Sequence, residues 1–220
     1  MNSLVSLTLS IVAMQYDASG GAASRGRLIF LMGPSGSGKD SLIEAARQRL
    51  IAHGIEIARR VITRSAEAKG EDALGVSVER FETMREAGAF ALNWQANGLS
   101  YGIPVQLDAW LAAGRSVLVN GSRAYLTNAR QRYPDLVAVG LTVSQQALRQ
   151  RLLARGRESN EEIELRLARN FRLQAYDPSV HVVDNSASLV SAVEALLALL
   201  RSEGVIADAA GKKPTCKMPD

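Results

Sequence analysis

Gly33-Pro34-Ser35-Gly36-Ser37-Gly38-Lys39-Asp40 is the stretch that decides how this chain folds. It stands between a continuous apolar run at 28–32 and a segment at 41–50 in which Leu42, Ala45, Ala46 and Leu50 recur at helical spacing. A buried parallel strand, a glycine-rich turn and a helix, in that order, are the setting of a phosphate-binding loop. Gly33, Gly36 and Gly38 admit backbone angles closed to other residues, so successive N–H groups can turn inward around phosphate oxygens, and the helix adds its positive end. Lys39 brings a compact positive charge to the β- and γ-phosphates of a nucleotide. The donor is therefore expected on Gly33, Pro34, Ser35, Gly36, Ser37, Gly38, Lys39, Asp40 and Ser41. One position departs from the usual pattern: the residue after the lysine is ordinarily Ser or Thr, whose hydroxyl ligates Mg²⁺, and here it is Asp40, followed by Ser41. Both offer hard oxygen ligands, so Asp40 and Ser41 are the candidate metal residues, the plainer alternative being that Asp40 only favours the helix end.

Working outward, apolar runs at 57–62, 116–119, 137–142 and 180–183 read as further strands. Segments at 105–113, 123–131, 145–154, 161–174 and 189–201 read as helices. Strands alternating with helices predict an α/β fold with a parallel sheet flanked by helices. Residues 1–25 read as a disordered extension or a start codon placed too early. The apolar run at 4–14 has no Lys or Arg before it and is too short to span a bilayer, with a weak secretory signal as the alternative. The folded domain is expected at 26–204, and 205–220, with Gly211, Pro214 and Pro219, reads as a disordered tail.

Hydrophobic residues make up 47% of the 220 and charged residues 22%, values of an ordinary soluble chain in which no membrane span is expected. Cys216 is the single cysteine and His53 and His181 are the two histidines, so disulfides, thiolate cages and zinc chemistry are disfavoured and a cytoplasmic setting is expected. The basic residues are 21 Arg against five Lys. Codon bias is the bland account of that imbalance, and a phosphate-rich ligand gripped by guanidinium forks is the functional one. No basic run with interleaved aromatics supports nucleic-acid binding.

Beyond the loop, Thr63-Arg64, Gly70-Glu71, Gly75, the stretch from Phe90 through Gly98 to Tyr101-Gly102-Ile103-Pro104, and Arg151-Leu152, Arg155-Gly156, Glu158, Glu161-Glu162-Ile163 and Arg166-Leu167 resemble the guanylate-kinase-like P-loop kinases. That resemblance implies a P-loop kinase fold with a small acceptor-binding region and a lid. The guanine-reading positions depart from it. Glu67 falls where a second phosphate-binding Arg is expected, and Val76-Ser77-Val78 where a phosphate-holding Tyr is. Leu92 replaces the guanine-accepting Glu, and Asn120 and Ser122 replace an acidic pair. A guanine edge left unpaired against leucine costs about 1–3 kcal/mol per group. Together with Ile62-Thr63-Arg64, Asn93-Trp94-Gln95-Ala96-Asn97-Gly98-Leu99 and Val119-Asn120-Gly121-Ser122-Arg123-Ala124, these departures are similar to the ribose 1,5-bisphosphate phosphokinase family.

That family resemblance implies ATP-dependent conversion of ribose 1,5-bisphosphate into 5-phosphoribosyl 1-diphosphate, in phosphonate degradation by the carbon–phosphorus lyase route, with ATP and Mg²⁺ as cofactors. The acceptor oxygen is already anionic, so no general base is required and catalysis reduces to alignment and charge neutralisation. Lys39, Arg155 and Arg166 are the expected catalytic residues, with Arg157 a weaker candidate. Arg64, Tyr101, Asn120, Ser122 and Arg123 are expected on the acceptor. Arg64 capping a strand, Arg123 in a solvated first turn and a salt-laced lid helix are the structural alternatives, and Trp94 reads as core before ligand platform. A nucleoside monophosphate kinase and a non-catalytic binding module of the same fold are the rival functions, and monomer and homodimer both stay open.

Overall fold

A computed structural model of the chain describes residues 25–64, 73–156, 158–172 and 177–207. The apolar run before the glycine-rich loop is strand β1 (Leu28–Met32), buried along its whole length, and the loop opens helix α1 (Lys39–Ala52). The chain continues through β2 (Glu56–Ile57), β3 (Arg60–Ile62), β4 (Ala73–Gly75), α2 (Val78–Glu86), β5 (Phe90–Ala96), β6 (Leu99–Pro104), α3 (Gln106–Ala112) and β7 (Val117–Asn120). After a 3₁₀ turn (Arg123–Tyr125) come α4 (Leu126–Arg132), β8 (Val137–Thr142), α5 (Gln145–Arg155), α6 (Asn160–Arg172), β9 (His181–Asp184) and α7 (Leu189–Ser202).

The main sheet has the order β2-β7-β1-β8-β9 and every pairing in it is parallel. Parallel strands buried on both faces are largely apolar: β1 is so throughout, and β7 and β8 are up to their last residues, Asn120 and Thr142. One face packs Ile29, Leu31, Val139 and Leu141 against α1 and α7. The other packs Phe30, Met32, Val119 and Ala138 toward α3, α4 and the second sheet. This is the α/β, parallel-sheet architecture expected from the alternating pattern.

The second sheet, of order β4-β3-β6-β5, is not anticipated by that pattern. β3 pairs in parallel with β4 and antiparallel with β6, and β6 pairs antiparallel with β5. The single strand expected at 57–62 is a correction: residues 56–57 join the main sheet and residues 60–62 the second, so the chain changes sheets at Ala58 and Arg59. β5 and β6 form a hairpin whose two tight-turn residues, Asn97 (φ 50°) and Gly98 (φ 75°), both take left-handed angles, as a type I′ turn demands.

α5 and α6 lie together over a small core of their own, Val143, Leu148, Leu152, Ile163 and Leu167. The helix expected at 123–131 begins as a 3₁₀ turn. The domain boundary expected after residue 204 also moves, because Ile206 is buried and Val205 packs on the same core as α7. The expected extension at 1–25, apart from Arg25, most of the expected tail, and Glu67, Gly70-Glu71 and Arg157 lie outside the described residues. Among the described residues no helix is long and apolar enough to cross a membrane.

Candidate active site

The C-terminal edge of the main sheet meets the second sheet in an open cleft. Its floor is the glycine-rich loop. Gly36 (φ 89°) and Gly38 (φ 90°) hold the left-handed angles that let the loop curl, and a Cβ at Gly38 would come within 2.6 Å of Asn185 Nδ2. Gly33 plays a different part from the one expected: its φ is not positive, but a Cβ there would lie 2.8 Å from the Leu141 carbonyl oxygen, so it is small because β8 runs beside it. α1 starts at Gly38 with no side-chain cap, and its first-turn N–H groups face the loop. Such an end carries about half a positive charge and suits an anion.

Lys39 Nζ donates to the carbonyl oxygens of Gly33 (2.9 Å) and Pro34 (3.2 Å), which keeps the ammonium folded over the loop. Arg151 on α5 braces the loop from outside, donating to the carbonyls of Ser37 (3.2 Å) and Asn185 (2.7 Å), and Asn185 Nδ2 reaches the same Ser37 carbonyl at 2.8 Å. Arg151 therefore serves the geometry of the donor loop. Three buried side-chain oxygens with no hydrogen-bond partner, Ser37 Oγ, Asn120 Oδ1 and Asn185 Oδ1, all stand on or beside this loop. Buried polar atoms are almost always paired, so their clustering here marks a place built for a polar ligand.

Across the cleft, the end of β7 supplies Asn120, and Gly121 and Ser122 follow it. Gly121 has to be glycine, since a Cβ there would sit 2.2 Å from the Phe30 ring. β6 supplies Tyr101, whose ring stacks on Trp94 of β5 with centroids 5.5 Å apart and planes 6° from parallel. Tyr125 adds a tilted contact to Trp94 at 5.4 Å. Trp94 is 8% exposed and belongs to the core, as expected, while its edge reaches the cleft wall. Arg155 ends α5 and lines the cleft from the lid side.

The cleft thus brings together Lys39, Asp40, Ser41, Tyr101, Asn120, Ser122 and Arg155. Five other expected residues do not line it: Pro34 and the fully buried Ser37 of the loop, and three arginines. Arg64 closes a described segment outside the lining, and Arg123 lies one residue beyond Ser122 in the 3₁₀ turn. Arg166 on α6 is ion-paired to Glu158. Many of the other arginines form exposed pairs, such as Arg115–Glu56 (2.7 Å), Arg132–Asp108 (2.8 Å) and Arg149–Glu164 (2.7 Å), and serve the surface. Neither histidine reaches the cleft: His53 caps α1 and His181 pairs with Glu203 at 3.1 Å.

Sequence reasoning passed over one lining residue of consequence. Arg60, on β3, is 7% exposed and its Nη2 donates to Asp40 Oδ1 at 3.2 Å, an oxygen that also accepts from Asn120 Nδ2 at 2.7 Å. In the sequence it stands beside Arg59 and looks like half of a surface pair. A basic residue inside an apolar run, Ile57 to Ile62, is the signal that could have found it. Leu92, where a guanine-accepting carboxylate is absent, is 1% exposed and packs in the core.

No protein-family model matches the chain. Over 80% of its length it is similar to curated proteins called ribose 1,5-bisphosphate phosphokinase PhnN. The protein from Azotobacter vinelandii is 65% identical over 176 residues, 80% of this chain and 96% of that one. That from Pseudomonas paraeruginosa is 63% identical over 176 residues, covering 80% and 95%, and that from Pseudomonas fluorescens 62% over 180, covering 80% and 95%. Among solved structures, the guanylate kinase of Anaplasma phagocytophilum superposes with a TM-score of 0.60 at 22% identity, over 82% of this chain and 87% of that one. That likeness establishes the guanylate kinase fold, while the identity to the curated relatives goes further: the chain belongs to the ribose 1,5-bisphosphate phosphokinase PhnN family.

Proposed function

We propose that this protein transfers the γ-phosphoryl group of ATP to the 1-phosphate of ribose 1,5-bisphosphate, releasing ADP and 5-phosphoribosyl 1-diphosphate, as a cytoplasmic step of phosphonate breakdown. The observation that carries the reading is the composition of one cleft. An intact phosphate loop forms its floor, hydroxyl and amide groups suited to a sugar phosphate form its wall, and the guanine-reading position is a buried leucine.

The attacking atom is a phosphate oxygen of the acceptor, anionic at neutral pH. The bond it forms to the γ-phosphorus replaces the bond to the β,γ-bridging oxygen of ATP, and that electron pair leaves on ADP. No proton has to be removed, in keeping with a cleft lined by no histidine. The protein's work is to align two polyanions and offset the charge between them. The loop N–H groups and the end of α1 bind the donor phosphates, and Lys39 swings from the Gly33 and Pro34 carbonyls to the β- and γ-oxygens. Asn120, Ser122 and Tyr101 orient the sugar and its phosphates. Arg155, on the lid side, approaches the transferring group as α5 and α6 close and shut out water.

Asp40 and Ser41 fit a magnesium ion in chemistry and place: both offer oxygen donors at the cleft, and Mg²⁺ usually takes one or two protein oxygens, with phosphates and water completing its shell. When bound there, the ion supplies charge to the β- and γ-phosphates. Arg64, Arg123 and Arg166, which lie outside the lining, would meet the acceptor or the transferring group only after a rearrangement that brings them to the cleft.

The test is ADP release by the purified protein with ATP, Mg²⁺ and either ribose 1,5-bisphosphate or GMP. Rapid release with ribose 1,5-bisphosphate alone is expected. Turnover of GMP with ribose 1,5-bisphosphate left untouched points instead to a nucleoside monophosphate kinase.

A further inference from the structure

The contact between Arg60 and Asp40 is the strongest unassigned feature of the cleft. Nη2 of Arg60 meets Asp40 Oδ1 at 3.2 Å, Nη1 meets the Asn120 carbonyl at 3.4 Å, and the guanidinium carbon stands 5.7 Å from the centre of the Tyr101 ring. Withdrawing a guanidinium from water costs several kcal/mol unless it is well paired. Here Asp40 Oδ1 accepts from both Arg60 Nη2 and Asn120 Nδ2. A contact built for rigidity alone does not need a buried charge, because apolar side chains of similar volume do as well or better.

What the arrangement does achieve is to hold a positive charge in the cleft wall. Arg60 belongs to the second sheet, on the strand paired with that of Tyr101, whereas Asp40 belongs to the helix that opens from the donor loop. The acid therefore reaches from the donor side to hold a cation on the acceptor side. It also gives the carboxylate after Lys39 a purpose that a serine or threonine hydroxyl, one atom group shorter, does not serve.

We propose that Arg60 is a specificity-determining residue of the acceptor side: Asp40 holds its guanidinium in the cleft wall of the free protein, and on acceptor binding the guanidinium exchanges the Asp40 carboxylate for a phosphate oxygen of the acceptor. A phosphate monoester dianion carries more charge than the Asp40 carboxylate, so the exchange runs in its favour. Tyr101 backs the guanidinium before and after it. The inference rests on the reading of the cleft as a phosphoryl-transfer site with a phosphate-bearing acceptor.

Two measurements test it. In the first, Arg60→Lys and Arg60→Met are compared with wild type for the KM of ribose 1,5-bisphosphate, and for the Kd of ATP measured by calorimetry without acceptor. Losing a hydrogen bond to a charged group predicts an acceptor KM raised about 10- to 100-fold, more for Met than for Lys, with the ATP Kd within about three-fold of wild type. An unchanged acceptor KM in Arg60→Lys, or equal weakening of ATP and acceptor, overturns the proposal. Should the Met variant not fold, Arg60→Lys decides alone, because lysine keeps the charge and loses the fork. In the second, acceptor affinity is measured without ATP or Mg²⁺ in Asp40→Asn, where the competitor for Arg60 is neutral. Tighter binding is expected, and unchanged or weaker binding overturns the exchange. If wild type fails on ribose 1,5-bisphosphate but turns over GMP, the functional reading falls, and the Arg60 comparison is read on the GMP KM by the same criteria.

Discussion

The two sheets of this molecule obey different rules. The main sheet is parallel, and its central strands β7, β1 and β8 are almost wholly apolar and buried on both faces. The second sheet is mixed, and its β4 and the start of β6 are only partly buried. The first therefore behaves as a scaffold whose residues are chosen by packing, and its contribution to chemistry comes only from where its strands end. The second behaves as a wall whose residues are shared between core and cleft: Trp94 and Leu92 look inward, while Tyr101 and Arg60 meet the ligand space. Substitutions in the scaffold should cost stability and spare the chemistry of whatever remains folded. Substitutions in the wall should alter acceptor kinetics at a smaller cost in stability.

The largest effect that would break this division is in the scaffold. Leu31 is fully buried in β1, so Leu31→Ala should lower unfolding stability by about 2–5 kcal/mol in urea titration, with KM values for ATP and acceptor unchanged per folded molecule. A shift in acceptor KM would show that the scaffold tunes the site. Next, Lys39→Ala should reduce kcat about 10²- to 10³-fold, as expected for losing one charge-stabilising donor, with the melting temperature close to wild type. In the wall, Tyr101→Leu should cost only about 0.5–1.5 kcal/mol of stability through the lost stack on Trp94, yet raise the acceptor KM. Equal effects on ATP and acceptor would erase the contrast between the sheets.

The smallest effect lies away from both. Tyr133 donates its hydroxyl to Asp108 Oδ1 at 2.7 Å, and burial, followed by that hydrogen bond, pushes its pKa up to about 12 from an ordinary 10.0. The folded value lies above the unfolded one, so this contribution is fully present below pH ~10 and is lost as pH rises toward ~12. Phenolate absorbance should track the loss, and Tyr133→Phe should remove that pH dependence without altering transfer.

The scaffold was largely legible because parallel burial forces continuous apolar runs, and the loop was legible because its glycines, lysine and flanking elements agree. The wall was not. β5 mixes Asn93 and Gln95 with apolar residues, and the run from Ile57 to Ile62 conceals a change of sheet. The Asn97-Gly98 pair was the overlooked sign, since two left-handed residues between extended segments specify a hairpin. At the site, Lys39, Asn120, Ser122 and Tyr101 could be placed from local motifs. Arg60 was hidden inside the run from Ile57 to Ile62, and its contacts, Asp40 of α1 and the Asn120 carbonyl of β7, come from positions distant in the sequence. Asp40 was visible as a departure, but its partners, Arg60 and Asn120, come from distant strands.

The most direct test of the account is the product itself, followed by ³¹P NMR as the purified protein is given ATP, Mg²⁺ and equimolar ribose 1,5-bisphosphate and GMP. Growth of the paired resonances of a sugar diphosphate, matched by ADP and with GMP unchanged, is the predicted result. Conversion of GMP to GDP while ribose 1,5-bisphosphate persists would contradict it.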